Sequence, residues 1–385
     1  MRFVASVLAL ILALPAASAG AAEYVPSRHH WEHRDPAAAG FDPQRLAAAV
    51  AYAQAHADLQ PGDMRQALVD YFGAREPDYS VHGPTKPRVG AAGLIVRHGY
   101  IVAQWGDVAR TDMTFSVAKS YLSTVAGLAL ADGLIGSLDD RLADYVDDGS
   151  YASPHNAPIT WRHMLTQTSD WQGTLWGIPD WADRPEGTDR AQWPRRALHA
   201  PGTHFKYNDV RINALAYALL QVWRKPLPQV LKERVMDPIG ASNAWRWTGY
   251  ADSWVELDGL RMQSVSGGGH FGGGMFISAL DHARYGLLFL RRGRWGERQV
   301  LPAEWVAQAH APSAAKDDYG LLWWLNTGRK AVPQAPESAY WAAGFGGHYI
   351  YIDEVHDLVV VLRWDNDFPG TIARILGALE AAPAR

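Results

Sequence analysis

Short apolar runs bounded by turn residues mark strands in the early and late parts of the chain. Gly93 to Val96 and Tyr100 to Trp105, separated by Arg-His-Gly, read as a hairpin closed by a glycine turn. Gly347 to Asp353 (GHYIYID) and Leu358 to Trp364 (LVVVLRW) read as a second pair of strands, with TIARILGALEAA after them as a closing helix. Helical spacing appears elsewhere. Asp42 to Ala55 opens with Asp42 as N-cap and Pro43 at the first helical position. Ser116 to about Ala131 reads as a largely apolar helix, and Ser278 caps SALDHARYGLLFLRRG. Pro61 to Val89, rich in Gly, Pro and charge, reads as a long surface segment. Strands at both ends around a helical or looped middle imply an α/β (α+β) organisation. Residues 23–115 and 241–385 form a sheet domain, residues 116–240 a mainly helical domain inserted in it, and the active site is expected between them.

Residues 1–22 carry Arg2, an apolar run from Phe3 to Leu14, and small residues offering Ala-x-Ala cleavage after Ala19 or Ala21. That is the pattern of a secretory signal peptide, the apolar run being shorter than the ~20 residues a bilayer span requires. The expectation is a soluble periplasmic or secreted protein. A net charge of -4 leaves no electrostatic footprint for nucleic acid or an anionic membrane, so a small-molecule partner is expected. The 385 residues include no cysteine, which excludes disulfides, thiol nucleophiles and Cys-ligated zinc. Any covalent catalysis must use oxygen or nitrogen.

One charge interrupts the apolar helix. In TFSVAKSYLSTVAGLALADGLI, Thr114 to Ile135, Lys119 lies three residues after Ser116, so the two share a helical face. A buried ammonium is costly without partners, and the plain alternative is a lysine snorkelling out of the helix. Beside a serine hydroxyl, however, lysine is a general base for a weak nucleophile, the Ser-x-x-Lys motif. The chain supplies a control: Ser313 to Lys316 (SAAK) has the same spacing but lies in a polar segment and reads as a solvated loop. A second motif, APGTHFKYNDVRINALAYALL, sets Tyr207 and Asp209 between a Pro-Gly turn and a new apolar helix. A tyrosine near a lysine relays protons to a leaving group.

Taken in order, Ser116-Val117-Ala118-Lys119, ITWRHMLTQTSDW, PGTHFKYND, GGGMFISALDHARYG and WAAGFGGHYIYIDEVHDLVVV resemble serine hydrolases of the class C β-lactamase and penicillin-binding-protein type. The resemblance spans residues 90 to 365, and the last motif is most similar to the esterase and 6-aminohexanoate-oligomer hydrolase branch. It implies a β-lactamase/transpeptidase-like fold, an antiparallel sheet flanked by helices, and chemistry without a cofactor. It implies Ser116 as nucleophile, Lys119 as its activating base, Tyr207 as second proton-transfer group, and the backbone amides of Ser116 and Phe345 as an oxyanion hole. The family's Tyr-x-Asn reads here Tyr207-Asn208-Asp209, so an acid at 209 either holds Lys119 charged or binds a cationic part of a substrate. The family's Lys-Thr-Gly or His-Thr-Gly corresponds to Ala342-Ala343-Gly344, where Gly344 alone survives to allow close backbone approach. A cation in that motif would face the carboxylate of β-lactams and D-Ala-D-Ala peptides. The alanines weaken that recognition and point to uncharged or differently charged acyl substrates.

Trp171, Trp176, Trp181 and Trp193 cluster between the first two motifs, and either wall an apolar acyl or alcohol pocket or pin a loop-rich domain. Trp171, Trp176, Trp181, Asp209 and Gly344 stand as candidate substrate-binding residues. No metal is expected: the histidines of His29 to His33 lack a supporting carboxylate pattern. Gly267 to Gly274 lacks the ending of a phosphate loop and is expected to let backbone pass close to the site. The expected activity is hydrolysis of esters or unstrained amides through an acyl-enzyme. The alternatives are a β-lactamase or D-amino-acid peptidase, and a catalytically silent binding or sensor protein.

Overall fold

Six strands form one antiparallel sheet: β1 (Ala92–Arg97), β2 (Tyr100–Trp105), β3 (Trp324–Leu325), β4 (Tyr340–Gly344), β5 (His348–Asp353) and β6 (Leu358–Arg363), in spatial order β3-β4-β5-β6-β1-β2. This computed structural model describes residues 24–57 and 62–380, so the signal-peptide segment 1–22 lies outside the described residues. Strand β6 sits in the middle, pairing Val360 with Ile95 of β1 on one side and with Tyr351 of β5 on the other. Every β6 residue is buried, because helices cover both faces of the sheet. Val360 and Leu362 point to the layer of α1 (Pro43–Ala55) and α6 (Phe368–Gly377). Val359 and Val361 point to the main core, against α5 (Ala279–Leu290).

The helix starts follow their expected chemistry. Asp42 accepts from the amides of Gln44 and Arg45 with Pro43 at the first position, and Ser278 Oγ accepts from the amide of Asp281. α3 (Ala118–Ala131) is buried along nearly its whole length, packing against α4 (Asp209–Trp223) with no solvent face to stripe. One expectation fails at Pro61–Val89. That segment holds α2 (Met64–Gly73), capped by Asp63, which buries Met64, Ala67, Leu68 and Phe72 against Met113, Phe115, Phe276 and Trp364. Its apolar stripe is one helical face; flanking Gly, Pro and charged residues mask it in the sequence. Among the described residues no helix is long and apolar enough to cross a membrane.

Candidate active site

Ser116 lies in a 3₁₀ turn, Phe115–Val117, at the entry to α3. The turn is held from beneath by His282, whose Nε2 meets Thr114 Oγ1 at 2.7 Å and whose Nδ1 meets the Tyr121 hydroxyl at 2.8 Å. Burial, with Arg363 nearby, keeps His282 far below the usual imidazole range, so it is a neutral strut. One turn into α3, Lys119 is 1% exposed; its Nζ donates to Ser116 Oγ at 2.9 Å and to Asp209 Oδ1 at 2.6 Å. Asp209 opens α4, where Asn208 caps the helix by accepting from the amide of Arg211. A carboxylate in a first turn is favoured by the helix dipole, and the Lys119 ammonium completes its neutralisation. Gly268 passes directly over this ion pair. A Cβ on Gly268 would stand 2.1 Å from both Lys119 Nζ and Asp209 Oδ2, so glycine is required there.

The ring of Tyr207 faces two cations, with Lys119 Nζ 4.7 Å and Arg184 Cζ 5.2 Å from its centroid. Arg184 is anchored by Asp183, Nη1 to Oδ1 at 2.5 Å, and lies 3.6 Å from Asp209 Oδ1. Behind it, His270 Nε2 meets Glu76 Oε2 at 2.7 Å, and its Nδ1 lies 3.2 Å from Arg184 Nη2. The backbone amide of His270 donates to Asp209 Oδ2 at 3.2 Å, which fixes the carboxylate that fixes Lys119. Glu76, Asp183 and His270 are buried with ligand atoms mutually within 4.8 Å, but the Arg184 guanidinium already occupies the cation position among them. Glu76, Asp183, Arg184 and His270 had no motif to announce them. They come from three separated segments, and only the glycines before His270 hinted that backbone crowds the site.

Strand β4 meets the Ser116 turn end-on. A Cβ on Gly344 would lie 2.3 Å from Thr114 O and 3.3 Å from Ser116 N, an approach only glycine permits. Phe345 follows and lines the cavity with Ser116, Arg184 and Tyr207. The cavity has a volume of about 730 Å³, and Phe72, Trp324, Trp341 and Tyr349 give it aromatic walls. Of the two alanines before Gly344, Ala343 lines the cavity and Ala342 is buried in the main core.

Two groups of substrate-binding expectations are corrected. Trp171, Trp176 and Trp181 do not line this cavity. Trp171 is buried with Nε1 donating to Ser150 O, Trp176 packs edge-on against Tyr217, and Trp181 lies beside the buried Asp170, Asp180 and Arg211 cluster. They pin the loop-rich region, and the cavity's tryptophans, Trp324 and Trp341, come from the distant sheet edge. Asp209 is fully buried and committed to Lys119, so it is not open to a cationic substrate group. The control motif behaves as a turn: Ser313 Oγ donates to Lys316 O, while Lys316 Nζ pairs with Asp318 at 2.6 Å.

The Beta-lactamase family pattern matches residues 66–381. The chain is 26% identical over 313 residues to an uncharacterized protein of Alkalihalophilus pseudofirmus, covering 72% of this chain and 84% of that protein. It is similar in structure to EstCE1, a hydrolase with promiscuous acyltransferase activity, with TM-score 0.55, 19% identity, and coverage of 88% of this chain and 99% of that one. It is also similar to a family VIII carboxylesterase, with TM-score 0.54, 17% identity, and coverage of 83% and 97%. At these identities the structural likenesses show the fold: mixed helices and an antiparallel sheet of the β-lactamase/transpeptidase type.

Proposed function

The chain belongs to the Beta-lactamase family of hydrolases, and from that premise we propose that it cleaves carboxylic esters or unstrained amides through an acyl-enzyme on Ser116. The observation that carries this reading is Lys119, buried behind an aromatic cavity and bonded at once to Asp209 and to Ser116, which lines that cavity. An ammonium has three donors and no lone pair. While paired with Asp209, Lys119 therefore steadies charge developing on Ser116 Oγ and cannot itself take the proton. Tyr207, whose ring faces Lys119 and Arg184, is the group that accepts it, a role the resemblance gave to Lys119.

Ser116 Oγ bonds to the carbonyl carbon, the carbonyl π pair moves to oxygen, and the amides of Ser116 and Phe345 hold the oxyanion. Collapse of the tetrahedral intermediate expels an alkoxide or amine, which takes the proton from Tyr207. Water then gives its proton to Tyr207 and its oxygen to the acyl carbon. Ser116 leaves with that proton restored. The aromatic walls favour substrates with an apolar body, and Ala343 offers no cation for a β-lactam carboxylate. Residues 1–22 support export to the periplasm or beyond.

A fluorophosphonate probe should label Ser116 and leave Ser313 unmodified by peptide mapping. Turnover of p-nitrophenyl esters and short amide oligomers should exceed that of a chromogenic cephalosporin. Ala343→Lys should move the ester-to-cephalosporin ratio of kcat/KM toward the cephalosporin by roughly tenfold, the scale of one partly exposed charge-assisted contact. A wild type without a Ser116 adduct, or one that prefers the cephalosporin, overturns the reading.

A further inference from the structure

The loop between Arg184 and Lys206 gathers two histidines and a glutamate that play no part in the chemistry proposed above. His199 and His204 stack with centroids 4.0 Å apart and planes 22° from parallel, and His204 Nε2 lies 3.3 Å from Glu186 Oε1. One ligand atom from each of Glu186, His199 and His204 lies within 4.8 Å of the others. We infer that these three residues form a binding site for zinc, in the loop that follows the cavity-lining Arg184 and Pro185. The donor set of two imidazole nitrogens and one carboxylate oxygen suits a borderline divalent ion and not magnesium or calcium.

The backbone beneath the set is already fixed. The His199 amide donates to the buried Asp170 carboxylate at 2.7 Å, the Gly202 amide to Thr168 O at 2.8 Å, and the Lys206 amide to Gln167 O at 2.9 Å. Zinc bonds of about 2.0–2.2 Å place tetrahedral ligand atoms about 3.3 Å apart. The three groups therefore close by side-chain rotation alone. That movement is open to them, since Glu186 and His199 are exposed and His204 half-buried. Lys206 Nζ, 3.4 Å from Glu186 Oε1, is the cation now balancing that carboxylate. The same Lys206 Nζ donates to the carbonyl of Arg184, and Arg184 and Pro185 line the cavity. Zinc at Glu186 thus sits next to the cavity wall and competes with the lysine that holds that wall.

The test is calorimetric titration of zinc chloride into the tag-free full chain, stripped of metal with a chelator. One equivalent should bind saturably, excess magnesium should not compete, and zinc should raise Tm. The triple variant Glu186→Gln, His199→Ala, His204→Ala should lose the titration while keeping its unfolding transition. His204→Ala alone should weaken binding by at least the 10–100-fold that loss of an outer-shell partner costs. A chain carrying His29→Ala, His30→Ala and His33→Ala should bind zinc as the wild type does. No saturable binding, binding that persists in the triple variant, or binding lost from the His29, His30, His33 variant overturns the proposal.

Discussion

Asp209 is surrounded by reasons to be ionised. Burial alone pushes its carboxyl up, but the Lys119 ammonium, the Arg184 guanidinium and His270 outweigh that and hold it well below the usual carboxylate range. A depressed carboxyl contributes its full stabilisation above its unfolded value near pH 4, and loses it as pH falls through the lower folded value. Asp209→Asn restores the residue of the Tyr-x-Asn motif but removes the anion between two cations. The variant should lose about 3 kcal/mol of unfolding free energy in urea at neutral pH, the scale for breaking a buried ion pair. The gap from wild type should narrow in strong acid, where Asp209 is protonated anyway. Equal stability at neutral pH would mean that Lys119 does not depend on this carboxylate for its charge.

At the scale of elements, the junction of β4 with the Ser116 turn is the most exacting contact. A methyl group on Gly344 meets Thr114 O at 2.3 Å, so strand and turn must part by about an ångström to admit it. Gly344→Ala should lower kcat by about 10²-fold or more, as loss of an oxyanion donor does, while the far side of the sheet keeps the chain folded. Near-normal turnover with an unchanged melting transition would place the oxyanion elsewhere. Much of this level was legible in the sequence. Strands β1, β2, β5 and β6 and the caps Asp42 and Ser278 follow local rules, and Ser116, Lys119 and Tyr207 stood out by the order of their motifs. Helix α2 did not, because its flanks look like loop. Nor did the Arg184 cluster, since contacts among residues 76, 183, 209 and 270 are a property of the fold and leave no periodic trace. The tryptophans misled for a related reason: closeness in sequence to a motif says nothing about which wall a side chain joins.

For the whole molecule, pH sensitivity should come in part from one carboxylate on the chain after β6. Burial pushes the Asp365 carboxyl up to about 6, even though Thr371 Oγ1 and the Asp367 amide donate to it. A carboxyl raised in the folded state contributes stability below its unfolded value near pH 4, and that stability is lost as pH rises through about 6. Asp365→Asn keeps both partners, since an amide accepts from Asp367 and donates to Thr371. Relative to wild type, the variant should therefore gain about 3 kcal/mol between acid and mildly alkaline pH, read from urea unfolding at each pH. A pH-independent difference would show that Asp365 is not the titrating group. The central place of β6 also sets a timetable. Its Val360 and the paired Ile95 of β1 are separated by most of the polypeptide. At ribosomal speeds of about 5–20 residues per second, the early hairpin waits tens of seconds for the strand that seals its open edge. Throughout that interval β1 offers unpaired backbone to any passing strand, so a nascent or prematurely terminated chain needs a holding chaperone long before the finished protein needs anything.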